Sequence, residues 1–270
     1  MPLMPSLEHP PALAPPAPAA PAWRQWLTAA LDLVFPPFCP VCAARLGPGR
    51  RDPLCGACWG ALERIAPPCC RLCGRPFGVF AGGADEETSD AGGPLCGDCR
   101  RRPPAWTYAR AAARYGEHVR DALHAFKFGG RRALAAPLGA LMAELGPALP
   151  LAAVDVLVPV PLHPRRLRER GFNQSWLLAR RLAAAWGVTA RSDVLARRIA
   201  TAAQTELGAA ARRLNVRGAF VVRRPELVTG RHVLLVDDIL TTGATASECA
   251  LALRSGGAVT VGLITVARAG

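Results

Sequence analysis

Lysine is nearly missing from this chain of 270 residues. Lys127 stands alone against 32 arginines among the 33 basic residues. Long apolar runs are missing too: no stretch of about 18 uncharged apolar residues occurs, which argues against a membrane-spanning helix. The first 22 residues, MPLMPSLEHPPALAPPAPAAPA, have neither a basic start nor a continuous apolar stretch. They do not read as a signal peptide, so the expected location is cytoplasmic. Residues 1–22 read instead as a disordered, partly polyproline tail. Acidic residues are outnumbered 20 to 33, leaving a net charge of +13. That surplus suits a polyanionic partner such as nucleic acid, or a phosphate-rich ligand. The drift of a GC-rich genome toward alanine and arginine would give the same balance. The hydrophobic fraction of 51% allows a sizeable core, although much of it is alanine.

Ten cysteines are present, nine of them within residues 39–99. Without an export signal, such crowding argues for metal rather than disulfides. Four CxxC pairs, CPVC (39–42), CGAC (55–58), CRLC (70–73) and CGDC (96–99), supply eight thiolates: Cys39, Cys42, Cys55, Cys58, Cys70, Cys73, Cys96 and Cys99. Eight suffice for two tetrahedral zinc sites. Twelve residues separate the first two pairs, close to zinc-ribbon spacing, and 22 separate the last two. Iron–sulfur ligation is the main rival; a redox CxxC would normally occur singly at a helix start. Cys69 is a spare beside Cys70, and Cys249 reads as core packing.

Residues 23–35 (WRQWLTAALDLVF) have helical apolar spacing, ended by Pro36-Pro37. The segment 81–93 is small, acidic and turn-rich, an expected exposed loop. From about residue 105 the pattern changes. Residues 107–115 read as a strand, 118–128 as an amphipathic helix turning at Gly129-Gly130, and 134–145 as a helix. Strands are then expected at 154–160, 219–222, 232–236 and 258–266, with helices at 174–186 and 244–254. Apolar strands alternating with helices imply parallel βαβ units. The organisation predicted is a tail (1–22), a helix plus cysteine module (23–102) and an α/β domain (103–270).

The most informative string is VLLVDDILTTGAT, residues 233–245. An apolar strand is expected to end at Asp237-Asp238, followed by a Thr/Gly turn and a helix. Ligands of open α/β sheets bind beyond the carboxyl ends of the strands. A helix start offers amide hydrogens and partial positive charge to a phosphate. Thr241, Thr242 and Thr245 add hydroxyls around Ala244, and Gly243 permits close backbone approach. Asp237 and Asp238 suit the hydroxyls of a ribose; as neighbours on a strand they point to opposite faces. The string resembles the phosphoribosyl pyrophosphate (PRPP) motif of type I phosphoribosyltransferases.

A second basic segment, PLHPRRLRERGFNQ (161–174), follows the strand at 154–160 and reads as a loop. Its Pro161, Arg165, Arg166, Arg168 and Arg170 are candidates for pyrophosphate, since guanidinium groups grip phosphate with paired hydrogen bonds. In the transferases it resembles, the corresponding loop often carries an unusual peptide geometry. Gly171 allows a sharp turn, and Asn173 is placed to cap the next helix. The stretch 197–220, with Arg197, Arg198, Gln204, Arg213 and Asn215, reads as a mobile flap over the ligand or as a plain surface helix.

Taken together, the CxxC pairs, HAFKFGGRR (124–132), PVPLHPRRLRERGFNQ (159–174), Arg198 with Gln204, Leu207, Arg213 and Asn215, and VLLVDDILTTGAT resemble the ComF family of competence proteins over residues 36–268. The resemblance implies a type I phosphoribosyltransferase-like parallel sheet with helices on both faces, preceded by a double zinc ribbon. It further implies PRPP with Mg²⁺, two structural zinc ions, and a part in handling single-stranded DNA. Three readings of function follow: a DNA-handling protein, with Trp59, Phe77 and Trp106 either stacking on bases or buried; a PRPP-dependent transferase of unknown acceptor; or an adaptor whose zinc module docks a helicase-like partner.

Overall fold

The computed structural model describes residues 37–47, 53–77, 93–199 and 216–270. The tail at 1–22, the helix expected at 23–35, nearly all of the acidic segment at 81–93, and Gln204, Arg213 and Asn215 lie outside them. Two short helices, α1 (Gly56–Gly60) and α2 (Gly97–Arg101), each start directly after a cysteine of a CxxC pair. That turn brings both thiols of a pair to one side.

The α/β part begins with β1 (Tyr108–Arg114), α3 (Glu117–Lys127), α4 (Ala135–Ala143) and β2 (Val156–Pro159). Next come α5 (Pro164–Arg170), α6 (Gln174–Trp186), β3 (Leu195–Arg197) and β4 (Phe220–Val222). The chain closes with β5 (His232–Leu240), α7 (Ala244–Ser255) and β6 (Thr260–Arg268). Four strands form one sheet in the order β1-β6-β5-β2, every pair parallel. The expected strand near 219–222 is not part of it: β4 pairs antiparallel with β3 as a separate ribbon. Three residues of Phe220–Val222 are too few to carry the near-continuous apolar run of a parallel-sheet strand.

Alternating strand residues feed two cores. Leu157, Leu234, Val236, Ile264 and Val266 pack toward α3, α4 and α6, and Val158, Val233, Leu235 and Leu263 toward α7. Helices therefore cover both faces, as a buried parallel sheet requires. Both sheet edges are also capped. The cysteine module pairs with β1 through Ile65 N–H to the Ala112 carbonyl (3.0 Å) and Arg114 N–H to the Glu63 carbonyl (2.8 Å). On the other edge, Leu157 and Arg191 bond across to Thr189 and Leu157.

Two local expectations change. The central strand β5 continues through both acids to Leu240, because the ladder with β6 runs on through Asp237 opposite Thr265 and Leu240 opposite Arg268. The expected loop at 161–174 contains the helix α5. Pro164 supplies its pre-set first turn, His163 Nδ1 accepts from Arg165 N–H at 3.2 Å, and Gly171 ends it at φ 74°. Among the described residues the only cis peptide is Pro67–Pro68, so no cis bond marks 159–161. Asn173 caps α6 as expected, its Oδ1 accepting from Ser175 N–H at 2.9 Å and Trp176 N–H at 3.4 Å.

Leu234 is fully buried at the centre of the sheet. Leu234→Ala is expected to lower stability by about 2–5 kcal/mol. A urea titration should show the midpoint fall with the slope unchanged.

Candidate functional site

The acids of β5 sit in a ring of cations supplied by three other elements. Lys127, at the end of α3, places its Nζ 2.5 Å from Asp238 Oδ2. Asp238 is 3% exposed, and among the described residues this ammonium is the polar contact of that oxygen. Asp237 lies on the opposite side of the strand. Its Oδ1 accepts from Ser175 Oγ at 2.9 Å and from Asp238 N–H at 2.9 Å. Lys127 is in direct contact with Asp238, and the charge of Asp237 also helps it keep its proton. The ammonium therefore serves both carboxylates.

Burial dominates the proton affinities here. It pushes Asp237 up to about 6, against the opposing charges of Lys127, Arg197 and Arg170 and the Ser175 hydroxyl. It pulls Lys127 down to about 8, helped by the like charges of Arg170 and Arg166 and resisted by Asp237. Arg166 also works against the charges of Arg170 and Arg197. Four cations thus converge on a pair of acids, an excess of positive charge fit for a polyvalent anion.

The helix α5 explains which arginines take part. Arg166 and Arg170, four residues apart, are half-buried on its inward side. Arg165 and Arg168 are exposed, and Arg165 Nε is paired with Glu169 at 2.8 Å. Arg170 is held in place by Gln174 Oε1 at 2.6 Å and by the ring of Phe128, 5.1 Å from its guanidinium carbon. A loop reading gives no reason to prefer 166 over 165 or 168; the helical period supplies one. Pro161 is half-buried between β2 and α5, and Arg198 follows β3 with its N–H bonded to the Ala219 carbonyl.

After Leu240 the chain turns through Thr241 and Thr242 to Gly243, which takes φ 75° as the N-cap of α7. The first helical bond runs from Ser247 N–H to the Gly243 carbonyl, so the amides before it lie outside the ladder. Ala244 N–H leans on Thr242 Oγ1 at 3.4 Å. A twelve-residue helix thus starts a few residues after the acids, with its positive end at the turn. A cavity of about 840 Å³ opens on one side of the turn, walled by Thr241, Thr242, Gly243, Trp106 and Arg268 and by Arg75 and Arg101 of the cysteine module. The acids and Lys127 do not line it. Trp106 is 6% exposed, so its ring is packing rather than a stacking surface. The sequence reading missed Ser175, Trp106's place under the turn, and Arg268. A lone arginine closing the apolar string TVGLITVAR was the available signal.

The eight paired cysteines form two clusters. Cys39, Cys42, Cys55 and Cys58 make one, and Cys70, Cys73, Cys96 and Cys99 the other, with the sulfurs of each cluster within 4.8 Å of one another. Zinc–sulfur bonds of about 2.3 Å in a tetrahedron put sulfurs roughly 3.8 Å apart, so both sets fit the ion. The approaches Cys42–Cys55 (3.5 Å) and Cys73–Cys96 (3.6 Å) bridge successive pairs. In the second cluster the Cys73 thiol, bonding to Cys70, brings Cys70 down to about 4 despite burial, and Cys73 is pushed far up in return. A crowd of sulfurs that cannot all ionise by themselves is a site shaped for a cation. Cys69 stays outside the cluster, bridged to Pro76, and Cys249 is fully buried in the core.

Comparison with known proteins agrees with this architecture. Residues 30–100 match the double zinc ribbon domain and residues 175–270 the phosphoribosyl transferase domain. The DNA utilization protein YhgH of Salmonella typhi is 35% identical over 238 residues, 85% of this chain and 96% of that protein. Competence protein F of Haemophilus influenzae is 29% identical over 79% of this chain and 91% of its own length. Competence protein ComFC of Bacillus subtilis is 28% identical over 80% of this chain and 85% of its own. Paired tetra-cysteine ribbons, a parallel sheet ending in the Thr-Thr-Gly turn, and these likenesses over most of the chain lead to one assignment: the chain belongs to the ComF family.

Proposed function

We propose that the end of β5 binds PRPP as its magnesium complex, and that the protein uses this site while handling single-stranded DNA during DNA uptake. One observation carries the reading. A Thr-Thr-Gly turn opening a long helix, two carboxylates and a ring of cations converge at the carboxyl end of the central strand. The amides and hydroxyls of Thr241, Thr242, Gly243, Ala244 and Thr245 would seat the 5-phosphate. Asp237 and Asp238 would take the ribose hydroxyls. Lys127, Arg166 and Arg170, beside Pro161, would neutralise the pyrophosphate, with Mg²⁺ held largely by ligand oxygens and water. Lys127 already neutralises Asp238, so ligand entry makes it share its charge between the acid and the incoming phosphates.

The DNA part of the proposal rests on the net charge of +13 and on relatives named for DNA utilization and competence. Transfer of the ribosyl group to an acceptor is the second reading. It is favoured by the match of residues 175–270 to a phosphoribosyl transferase domain.

Asp237→Asn should abolish the thermal shift that PRPP–Mg²⁺ gives the wild-type protein, while metal content stays the same. An unchanged shift would remove the ribose role. Asp238→Asn is a poorer probe, because it leaves Lys127 buried without its counter-ion and destabilises the fold.

The pH dependence follows from Lys127. The bound anion holds the Lys127 proton more tightly than the empty site does, so the bound-state value lies above the free value of about 8. Affinity is therefore full below about pH 8 and falls above it, by up to tenfold per pH unit until the bound-state value is reached. Titration calorimetry between pH 7 and 10 should show the decline in wild type and a flat profile in Lys127→Arg.

Metal analysis should give two zinc ions per chain, one for each cysteine cluster. Anisotropy with labelled single-stranded DNA should show binding at low salt that weakens linearly on a log–log salt axis. No binding at low salt would exclude the DNA role.

A further inference from the structure

The second cysteine cluster and the turn at 241–243 are tied together by two buried side chains that belong to neither site. Trp106 donates from Nε1 to the Leu72 carbonyl at 2.6 Å, inside the CRLC knuckle. Its ring fills the space beside Gly243: a Cβ built there would lie 2.6 Å from Cη2. Arg268, at the end of β6 and 7% exposed, donates from Nε to the Cys73 carbonyl at 3.3 Å. Its Nη1 reaches the carbonyls of Leu240 at 3.2 Å, Thr241 at 3.0 Å and Ala269. All four of these acceptors are backbone carbonyls, so this buried guanidinium fixes the relative position of two chain segments. The same knuckle is pressed onto β1. A Cβ at Gly74 (φ 66°) would meet the Ala109 carbonyl at 3.0 Å, and Arg110 Nη1 donates to the Arg71 carbonyl at 3.1 Å.

Beyond these ties and the Arg75–Asp98 ion pair at 2.8 Å, the described part of the knuckle has only a small core. Its buried cluster consists of the four cysteines, with Leu72, Phe77 and Leu95 packed around them. A segment of that size depends on its metal for a fixed conformation. The first cluster differs: Cys39 and Cys58 share the main core with Leu46, Leu54 and Leu62, on the α3 side of the sheet.

We propose that metal in the second cysteine cluster positions the phosphate-binding turn, with Trp106 and Arg268 as positioning residues. Loss of that metal would then loosen the turn and switch off sugar-phosphate binding. The proposal rests on the reading of the turn as a phosphate seat, but the coupling itself can be measured without any ligand.

The test uses the full chain. Hydrogen exchange at residues 240–244 is followed alongside zinc content and PRPP–Mg²⁺ calorimetry. In Cys70→Ser/Cys96→Ser one zinc is lost, exchange at the turn rises at least tenfold, and PRPP affinity falls at least tenfold. In Cys39→Ser/Cys55→Ser one zinc is also lost while exchange at the turn stays at the wild-type rate. Equal effects from the two clusters, or no change at the turn in the first variant, would overturn the coupling. Should the cysteine variants fail to fold, Trp106→Phe and Arg268→Met remove the ties with both zinc ions in place. They should raise exchange at 240–244 in the same way, and wild-type exchange in both would equally overturn it. Wild-type protein that shows the exchange coupling yet binds no PRPP would count against the ligand reading alone.

Discussion

The ion pair between Lys127 and Asp238 is the interaction around which the candidate site is built. A carboxylate at 3% exposure on the central strand is costly unless a cation stands against it. The ammonium at 2.5 Å supplies that cation, and it arrives from the last turn of α3, a different layer of the fold. Position of helix, strand and turn are thereby linked: moving α3 would strand a charge in the interior. Three arginines stand near as well: Arg170 and Arg197 act on Asp237, and Arg166 acts on Lys127, Arg170 and Arg197, so the cations outnumber the two acids. The surplus weakens the hold of Lys127 on its own proton, and an anion entering the site relieves that repulsion. Stability and ligand binding both draw on the charged state of Lys127, so its deprotonation would cost both.

Much of this was legible in the sequence because the two motifs involved are short and local. A CxxC turn needs its own four residues, and a Thr-Thr-Gly helix start needs only the strand before it and the helix after it. The cysteine clusters, the parallel sheet and the turn geometry therefore follow from their strings. The arginines of α5 show where local reading stops. Arg165, Arg166, Arg168 and Arg170 are chemically alike, and their selection depends on one fact, that Pro164 and His163 start a helix there. Once the segment is helical, a four-residue spacing sends Arg166 and Arg170 inward and leaves Arg165 to Glu169. Similarly, the length of β5 depends on β6 beside it. Two adjacent acids look like a strand end until a ladder with residues 265–268 carries them on.

Ser175, Trp106 and Arg268 were illegible for a different reason: each acts across a long chain separation. Ser175 reaches Asp237 over 62 residues, and Arg268 reaches Cys73 over 195. No local pattern records such a contact. Arg268 left only the trace of a charge in an apolar strand, which by itself reads as an exposed terminus.

The scarcity of lysine sharpens the argument about position 127. A composition that uses arginine 32 times and lysine once would be expected to place arginine here too, if any cation sufficed. The site asks for more than charge. An arginine keeps its proton through any plausible burial, and its planar head spreads five donors over a width that a 2.5 Å end-on contact with one carboxylate oxygen does not use. An ammonium is compact and can swing between acid and ligand on a flexible stem. It also loses its proton within reach of neutral pH when buried, which is the direction the structure gives it. The lone lysine is thus the one cation in the ring whose charge the site itself can adjust.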